Sequence, residues 1–450
     1  MVPTRLSALD ASFLAVETPT AHMHVGWASR FSPPAGAPTP TFDEFRDHIG
    51  ARLSSAPRYR QRLKSVPFGI SAPVWVDDQR FDLARHVLPS GSGRLEEIAA
   101  ETMSAPLPRD RPLWQMRIGE LAGGGIGVVG KAHHCMVDGI AAVELASLML
   151  DPEPESHRDG SDDWNPEPPP DGRSLLLQGL AEGALRRARF AAESVRALRD
   201  PFDLAGRART LALALVDAVR PAERVGALNE PISPRRELGR VRRPLGDLKR
   251  IKEAFGTTVN DVLLAASAGA LRRHLKRHDE HPARLKAMVP VNARAEGEED
   301  DAGNRLSHMF VDLPCDEPDA VRRLRQVHAE TDDRKRAHTP EGAQTLLHLA
   351  EQAPYPLHAP ISRIAAGPRA FNLVVSNIPG PAAPLYMRGC LLEEAYPVVP
   401  ISDRHSLSIG MTTVRDRACF GLYADPRCLP DLGGVAADLE ASIDELLARA

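Results

Sequence analysis

Two adjacent histidines, followed at a fixed distance by an aspartate and a glycine, form the segment of this chain in which reactive side chains concentrate. The segment runs from Lys131 to Gly139, and its histidines are His133 and His134. A neutral imidazole has an unperturbed pKa near ~6.5 and can take a proton from an alcohol or an amine at neutral pH. His134 is therefore a candidate general base. Asp138 can cap a following helix or pair with an arginine, and Gly139 permits a tight turn.

Three other interpretations of this segment stay open at the level of the residues. Adjacent histidines are poor joint ligands for one zinc ion, because zinc ligands are usually separated by two or more residues, and no H-E-x-x-H motif accompanies them. Cys135 is either a nucleophile or a small buried apolar residue. Both histidines can also be purely structural side chains. On balance we expect no metal site.

The segments on either side indicate how these side chains are held. The apolar run from Ile126 to Val129 predicts a strand that leads into the histidines. The alanine-rich pattern from Ile140 to Leu150 predicts a helix that leads out of them. The histidines are therefore expected at a strand end or in a turn, where active sites are often built.

The glycines before the histidines imitate a nucleotide-binding loop. Gly125 to Gly130 matches G-x-G-x-x-G, and together with Lys131 it matches the first seven positions of a P-loop. However, β-branched residues follow the first glycines, and Ala132 stands where a P-loop needs a hydroxyl group. The sequence therefore predicts a hairpin turn at Ala122 to Gly125 that is followed by a strand.

Length and composition limit the classes of protein to consider. A chain of 450 residues exceeds what one hydrophobic core normally supports, so we expect two domains. We place the first domain at residues 1–150, a proline-rich acidic linker and helical connector at 151–228, and the second domain at 229–450. The net charge of -4, the pI near 6.5 and the lack of a basic block with interleaved aromatic residues argue against nucleic-acid binding.

Cysteine usage and hydropathy indicate the cellular compartment in which the protein is expected. The five cysteines are odd in number and contain no C-x-x-C pair, which argues against a disulfide framework and fits a reducing cytoplasm. Met1 to Thr18 lacks the basic and apolar regions of a signal peptide, and no run of about 18 apolar residues occurs. We therefore expect a cytoplasmic protein that does not span a membrane.

Strand and helix patterns interleave in both halves, which predicts an α/β fold with mixed sheets. Trp114, Met116 and Ile118 alternate along one predicted strand, so Trp114 is a candidate core residue as well as a candidate substrate contact. The helices expected between Ser174 and Arg220, broken at Pro201, carry arginines and apolar residues at helical spacing. They either lie on an anionic membrane surface or pack on the protein with a solvated arginine face.

Two segments of the second half combine polar side chains with turn or cap signals. Asn260 and Asp261 open a predicted helix, where Asn260 can be the N-cap. Ser376 and Asn377 begin the sequence S-N-I-P-G-P, which also suits a turn.

Several short motifs follow one another in a fixed order along the chain. His133-His134-x-x-x-Asp138-Gly139 is the H-H-x-x-x-D-G pattern of CoA-dependent acyltransferases. The further segments are Leu9 to Leu14, Pro112-Leu113-Trp114, Asn260-Asp261 and Ser376 to Pro381. With these segments the chain resembles the bacterial wax ester synthase/acyl-CoA:diacylglycerol acyltransferase family over almost its whole length. The ordered set is more specific than any one motif.

This resemblance implies two domains related to chloramphenicol acetyltransferase, with a central channel between them and the histidines at its middle. It implies that His134 deprotonates the acceptor hydroxyl, which attacks the acyl-CoA thioester directly, and that His133 supports this step. Asp138 and Gly139 are then structural, and Arg294 is the suggested ion-pair partner of Asp138.

The thioester carbonyl becomes negatively charged at the tetrahedral stage and needs a hydrogen-bond donor. Asn260 is the candidate for this donor, with Asp261 as its structural neighbour. Ser376 and Asn377 are weaker candidates for the donor and, with Trp114, candidate substrate-binding residues.

We therefore expect an O-acyltransferase that moves a long-chain acyl group from acyl-CoA to diacylglycerol or a long-chain alcohol and makes triacylglycerol or wax ester. Acyl-CoA is a co-substrate, and no cofactor is expected. In two alternatives the acceptor is another hydroxyl compound, such as a polyketide or a sterol, or the protein is a non-catalytic lipid-binding relative. The apolar products suggest peripheral contact with the inner membrane face or with lipid droplets.

Overall fold

The computed structural model of the protein describes residues 4–34, 36, 38–136, 149–155, 164–197, 222–292, 306–337, 355, 359–360, 362–363, 366–367 and 369–450. Most of the helix predicted to follow the histidines lies outside these residues, and so do residues 198–221 of the helical connector.

Strands and helices interleave along the described chain. The strands are β1 (His24–Ser32), β2 (Gln61–Lys64), β3 (Val74–Asp77), β4 (Val87–Pro89), β5 (Trp114–Glu120), β6 (Ile126–His133), β7 (Glu237–Pro244), β8 (Leu285–Asn292), β9 (Leu306–Leu313), β10 (Leu373–Ile378), β11 (Tyr386–Met387), β12 (Cys390–Val398), β13 (Leu407–Val414) and β14 (Arg417–Ala424). The helices are α1 (Ala8–Val16), α2 (Phe42–Gly50), α3 (Leu95–Ser104), α4 (Gly172–Ala197), α5 (Leu245–Phe255), α6 (Val259–Arg277), α7 (Ala320–Ala337) and α8 (Leu432–Leu447).

Two six-stranded sheets carry the fold. The first has the strand order β11-β12-β1-β6-β5-β4, and the second has the order β7-β14-β13-β10-β8-β9. Both sheets are mixed, because β4 pairs with β5 in parallel in the first sheet and β10 pairs with both β8 and β13 in parallel in the second. The predicted α/β fold with mixed sheets is confirmed.

The first sheet is completed by strands from the far end of the chain. β12 pairs antiparallel with β1, from Gly26 opposite Val398 to Ser32 opposite Leu391. β11 then forms the edge beside β12. The boundary expected at residue 229 therefore does not separate the two sheets, since residues 386–398 return to the first one.

Helices cover one face of each sheet. α3 packs against β1, β5 and β6 of the first sheet, and α8 packs on β7 and β14 of the second. α6 packs against both α7 and α8, and its buried side chains, from Val262 to Leu271, fill the core of the second half. Because burial of apolar surface is the dominant favourable term in folding, these two cores fix where β6 and the second sheet lie.

The helix ends follow the cap residues of the sequence. Thr41 forms a capping box with Glu44 at the start of α2. Gly256 ends α5 in the left-handed region at φ 66°, where glycine has no steric penalty. The residue types at these two positions therefore set one helix start and one helix end.

The glycines before the histidines serve a hairpin and a close packing contact. Gly124 and Gly125 have φ values of 79° and 88° in the turn between β5 and β6. A Cβ atom on Gly130 would lie 2.1 Å from the ring of Trp27 on the neighbouring strand. The predicted turn and strand are confirmed, and the strand geometry does not open a helix toward a phosphate.

Five of the described strands were not expected from the sequence, namely β2, β3, β7, β11 and β12. β7 carries a basic run that includes Arg240, Arg242 and Arg243, and it forms an edge of the second sheet. β12 has a partner on β1 that is very distant in the sequence. Ser376 and Asn377 are also part of a strand, β10, and not of the turn that their sequence suggested.

In the described part of the chain, no single helix has the length and apolar character needed to cross a membrane. Among the described helices, only α5 and α6 taken together have the length and composition of a membrane-spanning segment, and these two helices are bent by 99° relative to each other.

Candidate active site

The histidine pair lies where β6 ends. His133 is the last residue of β6, and His134 begins the turn that follows. The backbone N–H of His133 donates to the carbonyl of Leu113 at 2.9 Å, and that of His134 donates to the carbonyl of Met23 at 3.0 Å. Segments on both sides of the strand therefore hold the backbone of the pair, and the predicted strand-end position is confirmed.

His133 is fully buried, and its ring has a defined orientation. Nδ1 accepts a hydrogen bond from the backbone N–H of Cys135 at 3.1 Å, so the proton of the neutral ring belongs on Nε2. Nε2 faces the carboxylate of Glu17 at 3.9 Å. Burial lowers the pKa of His133 well below its usual value, and the nearby Arg109 and His134 lower it further.

His134 is half-buried and stacks on an aromatic ring from α1. The centroids of the Phe13 and His134 rings are 3.7 Å apart, and the ring planes make an angle of 17°. Desolvation lowers the pKa of His134 to about 4, an interaction with its own backbone opposes this shift, and His308 on β9 adds to it. At neutral pH the ring is therefore unprotonated, as a general base must be.

Cys135 is buried beside the pair and is not prepared for nucleophilic attack. Burial raises the pKa of its thiol to about 12, although Arg109 opposes this shift. Of the two interpretations of Cys135, a nucleophile or a small buried apolar residue, the structure supports the second. Among the described residues, no cluster of three or more histidine, cysteine or acidic side chains is arranged to hold a metal ion.

Asp261 is a fully buried carboxylate at the start of α6. Thr258 is the N-cap, and it forms a capping box with Asp261. Asp261 also accepts hydrogen bonds from Thr331 at 2.7 Å and from His328 at 2.9 Å, both on α7. Burial alone raises the pKa of this carboxyl, but hydrogen bonds from Thr331, Thr258 and His328 outweigh that effect and lower it.

Asn260 occupies the second helical position of α6 and is half-buried. The cap role considered for Asn260 thus belongs to Thr258, because the side-chain oxygen of Thr258 accepts from the backbone N–H of Asp261 at 3.1 Å. The side chain of Asn260 is not needed to cap the helix.

Ser376 and His308 lie on one face of the second sheet. Val374 pairs with Met288, and Met288 with Phe310, so these three side chains form a row across β10, β8 and β9. Ser376 and His308 are each two residues from that row on their own strands and therefore share its face. Ser376 is buried, whereas its neighbour Asn377 is exposed.

Trp114 belongs to the core of the first half. It is 3 % exposed, and its Nε1 donates to the carbonyl of Tyr59 at 2.8 Å. Its ring stacks on that of His86, with the centroids 4.7 Å apart. Trp114 is therefore placed as a core residue, and its position gives no support to a contact with substrate.

Asp138, Gly139 and Arg294 lie outside the described residues. The ion pair suggested between Asp138 and Arg294 therefore stays a prediction.

Comparisons with known proteins agree with the order of the motifs. Residues 6–263 match the family described as the wax ester synthase/diacylglycerol acyltransferase catalytic domain, and residues 302–447 match the WS/DGAT C-terminal domain. The chain belongs to the wax ester synthase/diacylglycerol acyltransferase family.

Relatives of this WS/DGAT chain are similar over their whole length. The probable diacylglycerol O-acyltransferase tgs1 of Mycobacterium tuberculosis is 32 % identical, over 98 % of this chain and 96 % of the relative. The probable diacylglycerol O-acyltransferase tgs2 of the same organism is 31 % identical, over 97 % of both chains. As a member of this family, the protein is an acyltransferase.

Solved structures support the same fold. The wax ester synthase/diacylglycerol acyltransferase of Marinobacter aquaeolei VT8 matches with a TM-score of 0.69 at 29 % identity, over 99 % of each chain. The starter condensation domain of rhizomide synthetase matches with a TM-score of 0.57 at 14 % identity, over 100 % of this chain and 95 % of that domain, which shows a shared fold alone.

Four side chains beside the histidines of this WS/DGAT protein were not singled out from the sequence. These residues are Phe13, Glu17, Arg109 and His308. The N-terminal motif Leu9 to Leu14 contains Phe13, but nothing in its local pattern tells which side chains it meets. A contact between residues so far apart in sequence depends on how α1 packs on the first sheet.

Proposed function

We propose that the protein transfers a long-chain acyl group from acyl-CoA to the hydroxyl group of diacylglycerol or of a long-chain alcohol. The products are free CoA and triacylglycerol or wax ester. The observation that carries this proposal is an unprotonated His134 at the end of β6, in a chain of the WS/DGAT family. Acyl-CoA is a co-substrate in this reaction, and the proposal needs no cofactor.

In the proposed reaction His134 is the general base. Its Nε2 takes the proton of the acceptor hydroxyl while the hydroxyl oxygen attacks the thioester carbonyl carbon. The tetrahedral intermediate then collapses, the carbon–sulfur bond breaks, and the proton passes from His134 to the sulfur of CoA. A ring whose pKa is about 4 holds that proton only briefly and returns it readily to the leaving thiolate.

His133 supports this step without exchanging a proton itself. Its Nδ1 accepts from the backbone N–H of Cys135, which fixes the ring and the backbone of the turn that carries His134. Its lowered pKa keeps it neutral, so that it does not repel the positive charge that forms on His134.

The negative charge on the carbonyl oxygen requires a donor at the same place. We assign this role to the side-chain amide of Asn260, because the cap role that would otherwise occupy this residue belongs to Thr258. Asp261 is structural, because the hydrogen bonds that it accepts from α7 anchor the helix start that carries Asn260. Ser376, on the sheet face that carries His308, is the second candidate for the donor, and the exposed Asn377 is a candidate substrate contact.

Apolar side chains on the same sheet face support a lipid substrate. Met288, Phe310 and Val374 lie in one row beside His308. An acyl chain that packs there gains about 0.8 kcal/mol for each buried methylene group. Asp138, Gly139 and Arg294 are proposed as structural supports of the site.

Release of free CoA tests the function directly. Purified protein is incubated with a long-chain acyl-CoA and either diacylglycerol or a long-chain alcohol, and free thiol and lipid product are measured. His134→Ala is expected to lower kcat about 10²- to 10⁴-fold, since the general base is lost. His281→Ala, at an exposed histidine, serves as the matched control.

The outcomes separate the alternatives. If neither acceptor releases CoA above the His134→Ala background, the proposed acceptors are wrong. Turnover with a sterol or polyketide alcohol alone would then move the function to another acceptor. Acyl-chain binding without any turnover would favour a lipid-binding relative.

We also propose that the protein contacts a membrane or lipid-droplet surface through α4 and the short 3₁₀ turn Pro67–Gly69. α4 docks on the protein through Leu175 and Gly179, which pack near Val66 and Ile70. Leu177, Leu180 and Leu185 lie on other faces of the helix and are exposed. Phe68 projects from the turn with 89 % of its surface exposed.

One further feature fits an anionic lipid surface. The exposed Arg173 and Arg187 flank the apolar side chains on α4, the arrangement expected of an interfacial helix. We call this surface, formed by Phe68, Leu177, Leu180 and Leu185, the lipid-facing patch.

A further inference from the structure

α1 and the residue directly after it contact the two histidines from outside β6 and the turn that follows it. α1 is fixed to the protein by the burial of Ala11 and by a hydrogen bond that Nε of Arg363 donates to the carbonyl of Ala15 at 3.0 Å. Phe13 and Leu14 pack against the core of the first half. α1 is therefore a fixed platform beside the end of β6.

Phe13 covers one face of the His134 ring. The two rings are nearly parallel, with 17° between their planes and 3.7 Å between their centroids. An imidazole can rotate about the bond that joins it to Cβ, because that torsion has broad minima. A ring stacked on one face loses much of this freedom, so the direction in which Nε2 points becomes fixed.

Glu17 meets the other histidine one helical turn later. Residues four apart lie on the same side of a helix, so Glu17, directly after α1, follows Phe13 along one edge. Its carboxylate lies 3.9 Å from Nε2 of His133 and forms an ion pair with Arg109. The tautomer of His133 places its N–H toward this carboxylate.

We propose that α1 is the positioning element of the active site, in which Phe13 orients the ring of His134 and Glu17, held by Arg109, orients the ring of His133. Phe13 and Glu17 do not react with substrate in this scheme; they act through the two histidines. The catalytic meaning of the contacts rests on the proposed function, whereas the contacts themselves do not.

The charged and titratable groups around the two histidines determine how loss of Phe13 changes the protonation of His134. His134 faces His133 on its own segment and His308 on β9. His133 faces Arg109, Glu17 and, at 6.5 Å between ring centroids, His24 on β1. Without the Phe13 ring, water reaches His134 and stabilises its protonated form. The acid limb of the pH profile, which is the fall of kcat/KM at low pH, then moves from near pH 4 upward toward pH 6.5.

The decisive variant is Phe13→Leu, which keeps apolar volume but removes the ring. We expect kcat to fall about ten- to a hundredfold because the base is misplaced, with KM little changed. The acid limb of kcat/KM should move upward. His134 should also react faster with diethyl pyrocarbonate, measured by mass spectrometry of its peptide. Phe13→Tyr, which keeps the ring, should restore most of kcat. Glu17→Gln should lower kcat without moving KM.

Phe81→Leu is the matched control, because Phe81 stacks on the buried His86 with the same 17° interplanar angle, at 5.2 Å. If Phe13→Leu folds poorly, shown by its thermal unfolding midpoint, Phe13→Met takes its place. The proposal is overturned if kcat, the acid limb and the reactivity of His134 in the Phe13 variant equal those of Phe81→Leu. If the wild type releases no CoA but His134 still becomes more reactive in the Phe13 variant, the proposed function fails and the positioning contact stands.

Discussion

At the scale of single residues, the two adjacent histidines differ in what surrounds them. His133 is enclosed, and a backbone N–H on Nδ1 fixes its tautomer. His134 keeps partial exposure and has an aromatic ring on one face. Both are neutral because burial disfavours the charged form of an imidazole. The same physical effect therefore produces one fixed support and one base that substrate can reach.

The lowered pKa of His134 predicts an unusual pH profile. A histidine with its ordinary pKa is only about 3 % neutral at pH 5, so a base of that kind would lose about 30-fold in kcat/KM between pH 8 and pH 5. With a pKa of about 4, His134 stays mostly neutral at pH 5, and kcat/KM is expected to change less than twofold. An acid limb centred near pH 6.5 would contradict this prediction.

Unlike kcat/KM, stability is expected to fall markedly as the pH is lowered over the same range, so the assay must be fast. His48, His134 and His405 all have pKa values lowered to about 4 by burial, whereas they titrate near ~6.5 in the unfolded chain. Between these values the unfolded chain binds more protons, so the free energy of unfolding falls as the pH is lowered. Rates are therefore measured within seconds of a pH jump, and circular dichroism at the same delay controls for unfolding.

Much of the residue-scale picture could be predicted from sequence, but only where the information is local. The strand end at His133 follows from the apolar run before it, and the hairpin follows from the glycines. The stack of Phe13 on His134 depends on where α1 packs, which no local pattern encodes. The same limit applies to His308, which reaches His134 from another sheet.

At the scale of elements, the start of α6 shows how a cap also joins two helices. The capping box of Thr258 and Asp261 satisfies two backbone N–H groups that a helix start leaves unpaired. Asp261 also accepts from Thr331 and His328, so that α6 cannot shift along α7 without breaking these bonds. The sequence predicted a capped start here, but it did not predict the link to α7.

Asp261→Asn is expected to destabilise the protein and to affect catalysis through Asn260. An amide keeps one accepting oxygen and turns an NH₂ group toward donors, so a buried hydrogen bond is lost. The free energy of unfolding should fall by about 1–3 kcal/mol, measured by urea denaturation. Asp43→Asn, in the first turn of α2, is the control, because Asp43 is exposed. Equal effects of the two substitutions would contradict the proposed link.

At the scale of the whole molecule, the two halves are interlocked. β12 leaves the second half to pair with β1, and its Glu394 binds Arg240 and Arg242 on β7 of the second sheet. Chain length and the proline-rich linker suggested two consecutive domains. Strand periodicity could not show the interlocking, because it reports which face of a strand is buried and not which strand lies beside it. This pairing of β12 with the first sheet brings the second sheet, which carries His308, close to the end of β6.

The same architecture leaves the three leucines of the lipid-facing patch on faces of α4 that point away from its docking contacts. Leu175 is fully buried against the turn region, whereas Leu177 is 67 % exposed only two positions later. A helix that packs on its own protein normally turns its polar face outward. The exposure of these leucines and of Phe68 is therefore the observation on which the proposed contact with a membrane or lipid droplet rests.

Vesicle flotation tests this expectation. The triple variant Phe68→Ser, Leu177→Ser and Leu180→Ser should lose most of its binding to vesicles that contain anionic lipid, because each buried apolar side chain contributes about 1.5–3 kcal/mol. The control variant, Phe68→Leu and Leu177→Ile, keeps an apolar surface and should bind like the wild type. Turnover of a water-soluble short-chain alcohol should stay unchanged in both variants, since the patch is separate from His134. Equal flotation of the triple variant and the control would remove the lipid-facing role from α4.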